Sequence, residues 1–164
     1  MVLALLGKLS FWWLEPKVTF KQYLECVRVI RPGDIIGLRT RRYLTSFLIP
    51  GKYKHTAVYV GHGTIIHAVS PKITMMRLGK FLLQYDGFIV LRPHKPFAWK
   101  KADRYAFLHL QSPYDFAFIG GNKALYCHEL GADFLRAGGA QIPEQTRAWL
   151  FEDLQPYCTV VMEV

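Results

Sequence analysis

Three residues with the chemistry of a thiol nucleophile and its bases occur in the order His55, His67, Cys127. A cysteine attacks a carbonyl as the thiolate, so it needs a proton acceptor and something that steadies negative charge on sulfur. Cys127 stands in Ala124-Leu125-Tyr126-Cys127-His128-Glu129-Leu130, where a helix is expected to begin. There the positive end of the helix dipole favours thiolate over thiol. Glu129 in the first turn also suits the dipole. Facing the sulfur it would oppose ionisation, so it is expected to point away. The plain alternative is a buried structural cysteine, the commoner fate of a free one.

His55 and His67 lie twelve positions apart. His55–Val60 has a strand pattern, Gly61-His62-Gly63 a turn pattern, and Thr64–Ala68 a second strand pattern. Antiparallel pairing about His62 sets His55 opposite Val69, a diagonal neighbour of His67 on the same face. His67 can then hold one ring nitrogen of His55 and leave the other for a thiol, which is the logic of a base and its orienter. Two separate hydrogen-bonded histidines fit the hairpin equally well. The same residues also admit a zinc reading, with Cys127, His55 and His67 as ligands and His62 or His128 as a fourth. No short ligand pair stands on a loop, as structural zinc sites usually have. No metal and no cofactor are assigned.

The elements that must position these groups are legible around them. Thr19 and Gln22 form a capping-box pattern that opens a helix over Phe20–Val27. Arg31-Pro32-Gly33-Asp34 is a turn, with Asp34 expected to satisfy backbone donors, and Ile35–Leu38 is a strand. Leu44 to Pro50 is apolar and ends in the breaker Pro50-Gly51. Further strands are expected at Ile73–Met76, Phe88–Leu91 and Thr159–Glu163, and helices at Leu78–Gln84, Ala98–Leu110 and Tyr126–Ala137. In the last helix Leu130, Phe134 and Ala137 share a face, and Gly138-Gly139 ends it. Strands in the middle flanked by helices imply an α+β domain with an antiparallel sheet packed against helices.

The chain has 164 residues, 51% hydrophobic and 20% charged, which excludes disorder and suits one domain over 19–164 after an apolar segment 1–18. Three widely spaced cysteines, Cys26, Cys127 and Cys158, disfavour a disulfide framework or zinc ribbon. No apolar run approaches the ~18 residues of a membrane span. Met1–Leu14 carries its apolar residues ahead of Lys8, unlike a secretory signal. With Phe11, Trp12 and Trp13 it could lie on a membrane interface or pack on the domain or a partner. The net charge of +9 calls for an anionic partner. No nucleic-acid-binding signature accompanies it, so nucleic acid is not expected. Arg39, Arg41, Arg42, Lys52 and Lys54 precede His55 and are expected to form a cationic rim, or else a solvated loop.

Two stretches together resemble the papain-like NlpC-type cysteine amidase superfamily. His55-Thr56-Ala57-Val58-Tyr59-Val60-Gly61 with Ile65-Ile66-His67-Ala68 resembles its histidine strand and the strand after it. Pro113-Tyr114-Asp115 with Leu125-Tyr126-Cys127-His128-Glu129-Leu130 resembles its approach to a nucleophile helix. The order His, His, Cys is that of the circularly permuted branch, which includes the YiiX-like proteins and, more distantly, the lecithin:retinol acyltransferases. Arg31-Pro32-Gly33-Asp34-Ile35-Ile36 is similar to the strand that opens this branch.

The resemblance implies a Cys-His-His triad: Cys127 as nucleophile, His55 as general base and His67 as its orienter. Tyr114 would help the oxyanion, beside the backbone N–H of Cys127. Two positions depart from the pattern: His128 stands where Ser is usual, and His67 where many permuted members carry Glu. The implied activity is amide hydrolysis through an acyl-enzyme, with cell-wall stem peptide as the substrate by analogy. A lipid-directed amidase or acyltransferase at a membrane surface and a non-catalytic domain used in assembly, as in a virus particle, are the alternatives. Cytoplasmic, envelope and virion settings all fit.

Overall fold

The computed structural model describes residues 17–41, 50–119, 124–144 and 147–164. The expected apolar segments 1–14 and 44–49, and Arg42 of the rim, lie outside the described residues. The helices are α1 (Phe20–Val29), α2 (Leu78–Leu82), α3 (Trp99–Leu108) and α4 (Cys127–Ala137). The strands are β1 (Ile35–Arg39), β2 (His55–Gly61), β3 (Thr64–Val69), β4 (Lys72–Arg77), β5 (Gly87–Pro93) and β6 (Cys158–Glu163). They form one sheet in the order β4-β3-β2-β1-β5-β6, antiparallel throughout. The α+β architecture is the expected one. A 3₁₀ segment, Phe151–Tyr157, was not foreseen. It contains Pro156 and follows a stretch without periodicity.

Two cores sandwich the sheet, and the period-2 alternation of β2 sorts its residues between them. Val58 and Val60 join Leu130, Phe134 and Leu154 under α4. Ala57 and Tyr59 join Cys26, Phe81 and Leu82 on the opposite face, under α1 and α2. The capping box of α1 is present, with Thr19 N–H donating to Gln22 Oε1 at 2.8 Å and Gln22 N–H to Thr19 Oγ1 at 3.3 Å. Arg92 clasps buried Asp34 at 2.7 and 2.9 Å and donates to Val29 O at 2.8 Å, which joins the end of α1 to β5. Asp34 also accepts from Arg31 N–H, the role expected of it. Val18 is buried in the α1 core, and its N–H donates to Tyr85 O.

The β2–β3 hairpin turns through Gly61, His62 and Gly63, all with φ between 50° and 94°. The two glycines hold that left-handed backbone without a Cβ penalty. The register is Ala57↔His67, Val58↔Ile66 and Tyr59↔Ile65, symmetric about His62 as expected.

Candidate active site

The hairpin register brings the two histidines together. His55 Nε2 lies 2.9 Å from His67 Nδ1, and the rings meet edge to face. Both pack against Phe81 of α2, so both point to the α1–α2 side of the sheet. Among the described residues, His55 Nδ1 has no hydrogen-bond partner. His67 Nε2 is buried and also unpartnered. Burial pushes His67 down to about 4, and burial with the charges of His67 and His128 pushes His55 well below the usual imidazole range. Both rings are neutral at pH 7.

Cys127 is the first residue of α4, as the sequence implies, and is 2% exposed. Leu130 and Phe134 seat the helix on β2 and β3. Glu129 Oε2 accepts from Tyr126 N–H at 3.4 Å, turned back toward the preceding residue. The backbone N–H groups of Thr56, His128 and Cys127 itself favour the thiolate, but burial outweighs them and pushes the thiol up to about 11. The expected resting thiolate is therefore not what the site favours. Desolvation exceeds what a helix end and three amides return. Cys26 and Cys158, buried free thiols, are pushed up to about 12.

The Thr56 amide lies at the open end of the hairpin. Tyr59 N–H donates to Asp34 O beside β1, so the alternate amides of β2, Thr56 among them, face β3. The β2–β3 ladder ends at Ala57↔His67, one residue short of Thr56. Beyond that pair the two strands fork. The histidines lie on one side of that fork and α4 on the other. Among the described residues no hydrogen bond joins the sulfur to either imidazole.

Tyr114 enters through a bridge to Leu125 and packs against Phe116 and Phe118. Burial first and the Cys127 charge second push its hydroxyl far up. The cationic rim is only partly free. Lys52 pairs with Glu163, Arg39 donates to Val164 O at 3.4 Å, and the Arg41 N–H is bound by Asp86. The charge of Lys54 acts on His128.

One contact went unread in the sequence. Thr56 Oγ1 and His128 Nδ1 lie 2.5 Å apart, both buried, between β2 and α4. The available signal was a Thr in line with Val58 and Val60 on a core-facing row, since a polar group buried there needs a partner.

A metal does not fit these residues. The facing nitrogens of His55 and His67 are spent on each other, and His128 is bound to Thr56 on the other side of the sheet. His62 lies in the hairpin turn, seven residues from His55 and so roughly 23 Å along the strand. Among the described residues no cluster of three His, Cys, Asp or Glu side chains could hold an ion.

No curated protein sequence matches the chain. The structure is similar to that of metalloprotein yiiX from Escherichia coli O157:H7, with a TM-score of 0.69 over 82% of this chain and 97% of that one, at 18% identity. That likeness shows the fold. The family model described as permuted papain-like amidase enzyme, YaeF/YiiX, C92 family, matches residues 29–153. The hairpin histidines, the helix that begins at Cys127 and their permuted order thus sit inside the matched region, and the chain belongs to this family of permuted papain-like amidases.

Proposed function

We propose that the protein hydrolyses amide bonds through an acyl-enzyme on Cys127, with His55 as base, His67 as its orienter and peptidoglycan stem peptide as substrate. The observation that carries the reading is the 2.9 Å His55–His67 contact, which leaves His55 Nδ1 as the open nitrogen among the described residues. His55 Nε2–H donates to His67 Nδ1, fixing the tautomer with a lone pair on Nδ1. The neutral thiol passes its proton to that lone pair as sulfur attacks the carbonyl carbon. The Cys127 N–H and the Tyr114 hydroxyl steady the oxyanion. The imidazolium then protonates the leaving amine. A water that gives its proton to His55 cleaves the thioester and releases a carboxylate.

The test is to incubate purified peptidoglycan with the protein and follow new amino groups. Cys127→Ala and His55→Ala are expected to abolish release. Unchanged release in both would reject the mechanism, and release from a different polymer would reject the substrate.

A second reading, action at an anionic membrane surface, is favoured by α1. Phe20, Leu24 and Val27, at 62%, 42% and 47% exposure, form an apolar row beside exposed Lys17, Lys21 and Arg28. That pairing of rows suits a helix lying in the lipid headgroup layer. Vesicles that capture the protein, and phospholipid amides cleaved in them, would favour it.

A further inference from the structure

We infer that His128 is a positioning residue that acts through Thr56, holding the start of β2, and with it His55, against the start of α4 and Cys127. The inference rests on the proposed role of Cys127 and adds a residue that the Cys-His-His assignment leaves unused. The side chain of His128 leaves α4 one residue after the nucleophile. It meets Thr56 Oγ1 at 2.5 Å, one residue after the base His55. One hydrogen bond therefore joins the two segments whose spacing sets the site. Both partners are fully packed, with Thr56 at 0% and His128 at 2% exposure. The approach is close all along this seam. A Cβ on Gly131, one turn along α4, would stand 2.9 Å from Thr56 Cγ2.

His128 does not act as a charge. Burial pushes it down to about 4 despite the facing carboxylate of Asp153, and the charge of Lys54 pushes the same way. Among the described residues its Nε2 is buried with no partner, and the imidazole's hydrogen bond there is to Thr56. A neutral ring held by a single hydrogen bond fixes distance and register rather than field. It does so between the residue that follows the base and the residue that follows the nucleophile.

Four variants test this: Thr56→Val and His128→Leu, which delete the bond, and Thr56→Ser and His128→Asn, which keep a polar atom near the same place. The first readout is the rate of iodoacetamide alkylation of Cys127 against pH, which needs no substrate. Thr56→Val should shift the alkylation profile to higher pH, and Thr56→Ser should not. The second readout is steady-state peptidoglycan cleavage. Thr56→Val and His128→Leu should lower kcat roughly tenfold or more with KM unchanged, since small misplacements at a nucleophile are costly. Thr56→Ser and His128→Asn should stay within about threefold of wild type. Wild-type alkylation profile and kcat in folded Thr56→Val would overturn the inference while leaving the nucleophile assignment intact. An active Cys127→Ala would instead overturn the underlying reading.

Discussion

Gly131→Ala separates activity from stability in a way that only the helix–strand spacing explains. A Cβ at this position would meet Thr56 Cγ2 and Leu154 Cδ1, each at 2.9 Å. Carbon pairs prefer ~3.5–4.0 Å, so α4 must move away from β2 by about 0.6–1.1 Å. Overpacking of this kind costs about 1–3 kcal/mol, and the better helix propensity of Ala returns about 1. The net loss is thus about 0–2 kcal/mol, a drop of no more than about 8 °C in Tm for a domain of this size. Catalysis is far less forgiving, because about 1 Å of misplacement at a nucleophile can cost ~100-fold in rate. Thermal unfolding by circular dichroism and initial rates of amine release on the same preparation read the two quantities. The expected result is a folded protein with kcat reduced up to ~100-fold. Adding Thr56→Ser removes the struck methyl and keeps the hydroxyl for His128, so the double variant should recover tenfold or more. Wild-type kcat in Gly131→Ala would refute the argument that this seam positions the sulfur.

Alkylation offers a second check. With Cys127 at about 11, its thiolate fraction at pH 8 is roughly 200-fold below that of an unperturbed cysteine. The labelling rate should therefore be low and rise about tenfold per pH unit up to pH 10; fast labelling at pH 7 would show a resting thiolate. Acid stability follows from the histidines. His67 and His128 are held at about 4, below the ordinary imidazole value of about 6.5, so the unfolded chain binds more protons as pH falls below about 6.5. Each should cost about 2 kcal/mol of stability between pH 7 and 5, with the loss complete below about 4. Urea unfolding of His128→Asn should show a drop smaller by about 2 kcal/mol between pH 7 and 5, with His55 and His67 still contributing, and an unchanged drop would contradict the burial of a neutral ring. For α1, Leu24→Glu should weaken sedimentation with phosphatidylglycerol vesicles about tenfold and leave phosphatidylcholine controls unchanged. Equal binding by both proteins would remove the membrane reading.

The parts of this fold set by local chemistry could be read from the chain. The Thr19–Gln22 cap, the Gly61–Gly63 turn and the alternation of β2 and β3 gave α1, the hairpin and its register, and with them the meeting of His55 and His67. The helix start at Cys127 followed from its flanking residues. What could not be read depends on contacts distant in sequence. Thr56 meets His128 across 72 positions, and a Thr on a core-facing row shows that a partner is needed but not which one. The thiol ionisation was misjudged for the same reason. A helix N-terminus is visible in sequence, but the burial that outweighs it comes from β2 and the core beneath. The pairing of Lys52 could not be read either, because its partner Glu163 lies on the last strand.

The central claim is that Cys127 carries the acyl group and His55 permits its transfer. A stem-peptide p-nitrophenyl ester, mixed rapidly with the protein and followed by intact-mass and peptide-mass spectrometry, tests it most directly. A burst of one nitrophenol per protein is expected, with an acyl adduct on the peptide that contains Cys127. Both should be absent in Cys127→Ala and strongly slowed in His55→Ala. A burst that survives Cys127→Ala, or an adduct on Cys26 or Cys158 instead, would contradict it.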